Sequence, residues 1–251
     1  MKIKIYGILV VLLVCFNIQA NENFELIKAE EAYAASDYDK ALEIYKSVLD
    51  KGYESADLYY NVANCLYRKG ELAPSILNYE RALRIDPSHE DAKHNLSLAE
   101  SKTVDNIDTL GRVFLVDWWN SFSNLTSADS WAFISIVLFI ITLASLSVYI
   151  FVRKIWVRKL VFSVAVIALF FTIISFCSAY TRYNVETSKN QAIVFSQTVT
   201  IKSSPDNSGN NLFILHEGTK VNIKSRLGEW VEIITSDGNS GWLPVNAIEV
   251  I

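Results

Sequence analysis

The 251-residue chain is poor in the side chains that usually carry chemistry. It has three cysteines and three histidines. Cys15 and Cys177 lie inside apolar runs, which leaves Cys65 alone in the polar part of the chain and excludes an intramolecular disulfide there. Cys65 stands among apolar helical neighbours and reads as a small hydrophobe. His89 and His94 are five residues apart on one predicted helix, a spacing unsuited to a shared metal. There is no glycine-rich phosphate loop, no nucleophile motif and no paired cysteine. The expectation is therefore no catalytic residue, no cofactor and no metal site. The net charge of −4 argues against nucleic acid as the main partner.

Charge is missing altogether from two long stretches. Trp131–Val152 and Leu160–Tyr180 contain no residue charged at neutral pH. At 22 and 21 residues, each matches the roughly 20 apolar helical residues that cross a bilayer core. Neither shows the polar stripe of a soluble core helix. Trp131, Tyr149 and Tyr180 stand near their ends, where interfacial rings belong. Between the two runs lies VRKIWVRKL, with Arg153, Lys154, Arg158 and Lys159 and no acid. Short loops rich in Lys and Arg stay in the cytoplasm. Residues 153–159 are thus read as a cytoplasmic loop of an antiparallel hairpin, with both flanking segments on the outer side.

The N-terminus agrees. MKIK is basic, IYGILVVLLVCFNI is apolar, and QA precedes a polar stretch, the layout of a secretory signal over residues 1–20. An uncleaved anchor would leave the flanking domains outside as well.

Residues 21–103 are helical in pattern and self-similar. Leu42 and Ile76, Tyr45 and Tyr79, and Ala41 and Ser75 are each 34 residues apart. Ala63 and Ala82 let helices approach closely, and Pro74 suits a first helical turn. Five helices are predicted, at about 23–35, 38–50, 55–69, 72–85 and 89–102, the last polar outside and capping the stack. The unit ADLYYNVANCLYRKGELAPSILNYERALRIDP resembles the tetratricopeptide family along its length, through Ala63, Gly70, Tyr79, Ala82 and Pro87. In the preceding unit Ser36 replaces the turn glycine and Tyr53 the terminating proline. The resemblance implies a protein-binding groove lined by the first helix of each pair, with Tyr60, Asn61 and Asn64 at contact positions. Tyr60 and Asn64, four apart, share a face. Between Asn21 and Glu100 there are 16 acids and 9 bases, which makes a basic or polar partner segment the expectation, with a merely solvated face as the alternative.

Residues 104–130 join this repeat to the first apolar run. Phe114, Trp118, Trp119 and Phe122 suggest an interfacial helix on the bilayer surface. The alternative is a linker packed on the repeat. Ser127 is among the N-cap candidates for the first membrane helix.

After a linker over 181–189 the period changes to two. Residues 190–251 carry short strands rich in Val, Ile and Thr, separated by turn signals, as in a small barrel. In EWVEII, Val231 and Ile233 suit the core, which turns Trp230 outward. Trp242, beside its glycine turn, is expected in the core. The segment Ala192–Ile251 resembles bacterial SH3-like domains through Gly218, Trp230, Gly238, Gly241 and Trp242. Trp230 and Pro244 stand where SH3 domains grip proline-rich peptides. Residues 190–251 contain no tyrosine, and Ala247 occupies a usual tyrosine position, so strong PxxP binding is not expected. A peptide or cell-wall fragment on Trp230 is the alternative ligand; a purely structural Trp230 is the other reading.

The fold class is accordingly multidomain: an all-α tetratricopeptide repeat, a two-helix transmembrane hairpin and an all-β SH3-like barrel. That order of modules resembles the BatE-type proteins of bacterial aerotolerance operons. The resemblance implies an inner-membrane protein, both soluble domains periplasmic, working with von Willebrand A-domain membrane proteins and a MoxR-type ATPase system. A membrane scaffold is the leading expectation. A peptidoglycan sensor acting through the barrel, and a structural subunit whose barrel packs on the repeat, are the others.

Overall fold

The computed structural model describes residues 25–105 and 114–251; the signal segment over residues 1–20 lies outside the described residues. Five helices form the repeat: α1 (25–34), α2 (Tyr38–Asp50), α3 (Ala56–Lys69), α4 (Leu72–Ile85) and α5 (Glu90–Glu100). Each begins or ends for a local reason. The Ser55 side chain accepts from Leu58 N–H at 3.1 Å and caps α3. Gly70 ends α3 at φ +81°, a left-handed conformation natural to glycine. Ser36 meets the same demand between α1 and α2 at φ 61° without glycine's freedom. Pro74 sits in the first turn of α4. His89 precedes α5, its Nδ1 accepting from Ala92 N–H at 3.2 Å. It caps this helix; it does not sit within it beside His94.

The small residues act as expected. Ala41, Ala63, Ala82 and Ala92 are fully buried, and Tyr45 and Tyr79 fill the gaps between helices. Cys65 is buried in the α1–α3 core, and burial pushes its thiol up to about 11, so it packs as an unreactive hydrophobe.

Helix α6 (Phe114–Ser123) lies against the C-terminal end of α8, where Trp119 Nε1 donates to Thr181 Oγ1 at 3.3 Å. Helices α7 (Ala128–Phe151) and α8 (Ile155–Thr187) form a long antiparallel pair. Ser127 caps α7, accepting from Ser130 N–H. Both helices are long and apolar enough to cross a membrane. A soluble core helix would be mostly buried, but their most apolar windows are only 11% and 17% buried. Small residues, Ala165, Ala168, Ser175 and Ser178, are buried along α8. The turn between the helices is only residues 152–154. Arg158 and Lys159 of the basic stretch therefore lie in the first turn and a half of α8, because nothing in IWVRKL breaks a helix.

The C-terminal part is a seven-stranded antiparallel sheet: β1 (Gln191–Val194), β2 (Thr198–Lys202), β3 (Asn211–His216), β4 (Lys220–Leu227), β5 (Trp230–Ile234), β6 (Ser240–Pro244) and β7 (Ile248–Val250). Its order is β3-β2-β6-β5-β4-β1-β7. It curls around one apolar core holding Val194, Ile201, Val221, Val231, Ile233 and Leu243, the form of a small barrel. Val231 and Ile233 point in, as the alternation requires. Trp242 does not. Gly241 and Leu243 take the two inward positions of β6, so period two turns Trp242 outward and leaves it half-buried. Gly241 is needed there: a Cβ would stand 2.5 Å from Ile201 Cγ2.

The barrel docks on the repeat. Ala192 and Val194 of β1 face the barrel core, while Ile193 between them is fully buried among Ile76, Leu77 and Tyr79 of the repeat. Ile251 and Phe195 join it. A polar rim surrounds this contact. Lys220 Nζ reaches both Glu80 carboxylate oxygens at 2.7 Å, and Arg81 Nη2 donates to Glu249 at 3.2 Å. Asp105 accepts from the His216 and Thr219 turn of the barrel. Gly218 in that turn has φ +85°, and a Cβ there would lie 2.8 Å from Thr103 Cγ2 and 3.0 Å from Ile76 Cδ1. The barrel and the repeat are thus in direct contact, through an apolar centre and a polar rim.

Candidate functional site

The groove of the repeat gathers polar side chains from α3, α4 and α5. Tyr60 and Asn64 share one face of α3 because they are one turn apart. Asn64 Oδ1 accepts from Tyr79 Oη at 2.6 Å and from Asn95 Nδ2 at 2.9 Å. Asn95 Nδ2 also lies 3.4 Å from Tyr60 Oη. The Tyr79 side chain is fully buried, and desolvation raises its phenol above the ordinary range, so it remains a neutral donor to Asn64. Tyr60 packs on the His89 ring, centroids 4.8 Å apart. His89 Nε2 is 3.3 Å from Asp57 Oδ1, within ion-pair distance but out of hydrogen-bond alignment.

Beside this network is a pocket of about 170 Å³ lined by Tyr33, Asn64, Tyr67, Arg68, Tyr79, Asn95 and Leu98. Small-molecule sites commonly run from about 300 to 1,000 Å³. This one suits a single side-chain head of a larger partner. Its charged wall is basic: Arg68 lines it, and Lys102 sits 4.3 Å from the centre of the Tyr67 ring. The helical region is acidic in sum, yet the charge at this pocket has the opposite sign.

Of the predicted groove residues, Tyr60 and Asn64 come together in one network. Asn61 is half-buried on α3 but lies outside both the network and the pocket wall. Tyr67, Arg68 and Asn95 were not foreseen. Tyr67 and Arg68 continue the spacing of Tyr60 and Asn64 along α3, a signal the sequence contains. Asn95 is on the capping helix and gives no such signal.

On the barrel, Trp230 and Pro244 are direct cross-strand neighbours, and Leu227 stands opposite Trp230 on the other side. The three form an apolar row across β4, β5 and β6. Trp230 and Pro244 are half-buried and Leu227 is exposed. Trp242 continues the same outward face, opposite Glu232. Ala247 belongs to the barrel core and supplies no wall to this row.

Among the described residues no group of three or more His, Cys, Asp or Glu is arranged to hold a metal ion. Residues 28–90 match the tetratricopeptide repeat family. That segment is similar to a type of module that binds other proteins and typically has no catalytic role. No curated protein matches the chain.

Proposed function

We propose that the protein is an inner-membrane scaffold that holds a tetratricopeptide groove and an SH3-like barrel rigidly on the periplasmic face, as a subunit of an aerotolerance-type complex. The observation that carries this reading is the division of the repeat's surface. One side is filled by the barrel through Ile193, Ile251 and the Lys220–Glu80 pair, while the groove around Tyr60, Asn64 and Arg68 keeps an open pocket. An antiparallel hairpin brings the start of α7 and the end of α8 to one end, so both modules share a side. The basic residues Arg153 to Lys159 at the other end support a cytoplasmic turn. Von Willebrand A-domain membrane proteins and a MoxR-type ATPase system are the partners in this proposal.

A photo-crosslinker at Arg68 in native membranes, with one at Lys46 of α2 as control, tests it. Capture of a membrane-protein partner from Arg68 and not from Lys46 is expected; equal capture at both positions would rule out the groove. Single cysteines at Lys51 and Asp206, in a background lacking Cys65, should react with an impermeant thiol reagent in intact spheroplasts. One at Ile155 should react only after lysis.

The second reading, a cell-wall sensor, is favoured by the Trp230–Pro244–Leu227 row. Titration of the full chain with muropeptides, followed by tryptophan fluorescence and compared in a Trp230→Ala variant, separates it from the scaffold.

A further inference from the structure

Two clefts open where the repeat, the barrel and the hairpin meet. The larger, about 990 Å³, is lined by three cations and four acids, an excess of one negative charge. The smaller, about 520 Å³, is unbalanced the other way. Arg84, Lys93, Arg182 and Lys220 line it with one acidic side chain, Glu80, and with Ile251. Arg84 Nη1 donates to the Ile251 oxygen and its Nε to the Glu186 carbonyl at 2.8 Å. Glu80 is matched by Lys220 at 2.7 Å. Among the described residues Lys93 pairs with the exposed Glu90 on its own helix, a surface pair that neutralises little. Arg182 is nearly buried. Its Nη1 donates to Asn124 Oδ1 and its Nη2 to the Arg84 carbonyl, both at 2.9 Å, and Glu186 is 3.6 Å away. Its Nε has no hydrogen-bond partner among the described residues.

The position of this cleft matters as much as its charge. Arg182 is two residues past Tyr180, the end of the apolar run, or roughly 3 Å further along the helix. That is the level of lipid headgroups. The rim is apolar: Leu125 and Val185 both line the cleft and are exposed. Exposed Phe114, Leu115 and Trp118 of α6 carry an apolar surface on from the same region. A cationic pocket with an apolar margin fits a molecule that is anionic at one end and greasy at the other.

We infer that this cleft binds the phosphate headgroup of an anionic phospholipid from the outer face of the same bilayer, with its acyl chains leaving past Leu125 and Val185. The inference rests on the reading that α7 and α8 span a membrane. The site fixes the repeat and barrel against the membrane surface, because the headgroup contacts α4, α5, β4 and α8 together.

The test uses the full chain. In liposomes, flotation first establishes insertion; a chain that does not float with the vesicles overturns both the span and the lipid site. In neutral detergent, thermal melting and native mass spectrometry are followed during titration with phosphatidylglycerol, phosphatidylcholine and inorganic phosphate. Saturable stabilisation and an adduct with phosphatidylglycerol alone are expected. Equal effects of phosphatidylcholine, or the same effect from inorganic phosphate, would refute a lipid headgroup site. Lys93→Gln, on an exposed position that leaves the fold intact, should weaken phosphatidylglycerol binding about fivefold, and Lys93→Arg should not. Unchanged binding in Lys93→Gln would likewise refute it.

Discussion

The two sides of the helical repeat are built from the same helices and behave in opposite ways. On the barrel side, α4 presents Ile76, Glu80 and Arg81, and every one meets a fixed partner in the barrel or at its edge. On the groove side, α3 presents Tyr60, Asn64 and Arg68, whose polar atoms serve a local network and a small open pocket. The difference teaches what separates a permanent contact from an available one. The permanent face is apolar at its centre, ringed by ion pairs, and closed so tightly that Gly218 has no room for a Cβ. The available face is polar at its centre and satisfied by its own amides, so it loses little while empty.

The sharpest way to break the permanent face is at Ile193. Its side chain packs with Ile76, Leu77 and Tyr79 of the repeat, while its neighbours Ala192 and Val194 fill the barrel core. Ile193→Ala should destabilise the full chain by about 3 kcal/mol, with hydrogen exchange rising together in α4 and β1. Exchange that rises in β1 alone would mean the two modules are not coupled there.

A change at Asn64 asks whether the groove is only a binding surface. Asn64→Ala removes the acceptor of the buried Tyr79 hydroxyl and of Asn95, so it should cost about 2 kcal/mol in denaturant unfolding. Asn64 is therefore structural as well as a proposed contact residue. A loss of partner binding in this variant alone would not locate the partner.

The Asp105 contact gives the permanent face a pH dependence. Burial raises this carboxyl, but hydrogen bonds from His216 Nδ1, His216 N–H and Thr219 Oγ1, each 2.7 Å, outweigh it and hold the carboxyl below its ordinary value. A depressed folded pKa stabilises the protein above the unfolded value, near 4, and that stability is lost as pH falls through the folded pKa. Docking should weaken below about pH 4, and Asp105→Asn should remove that step and lower stability at pH 7 by about 1 kcal/mol. Melting curves of both proteins between pH 3 and pH 7 check it.

Ser36 offers a change far from the barrel. Its left-handed backbone would be relaxed by glycine, so Ser36→Gly should stabilise the repeat by roughly 0.5 kcal/mol or slightly more. Hydrogen exchange should slow in α1 and α2 and stay constant at the docked face.

The sequence disclosed the elements better than their assembly. Helices α2 and α4 begin and end at the predicted residues, because alanine, glycine and proline mark where helices touch and stop. Trp230 was legible through the inward pair Val231 and Ile233. For Trp242 the glycine turn suggests the core, but the alternation set by Gly241 and Leu243 turns it outward. The docking was hidden in AIV of β1. Three consecutive buried residues signal a strand covered on both faces, but nothing local says that the second cover is a helix more than a hundred residues away. The groove was half legible: residues one turn apart on α3 can be paired by spacing, whereas Asn95 reaches them only through the fold.

The smallest expected change in stability is at Asn61, and it decides most about function. Asn61 is half-buried on α3, outside the Asn64 network and outside the permanent face. Asn61→Ala should leave the melting temperature nearly unchanged, within about 0.5 kcal/mol of wild type, as for a surface position away from such features. If a partner lies along the groove, its co-purification from membranes should still fall several-fold, because the amide borders the path between Asp57 and Arg68. Combining Asn61→Ala with Arg68→Ala should weaken capture further while the docked face keeps its exchange protection. Full capture by the double variant would place the partner elsewhere on the molecule, and the outward row of Trp230, Pro244 and Leu227 would then be the surface to test.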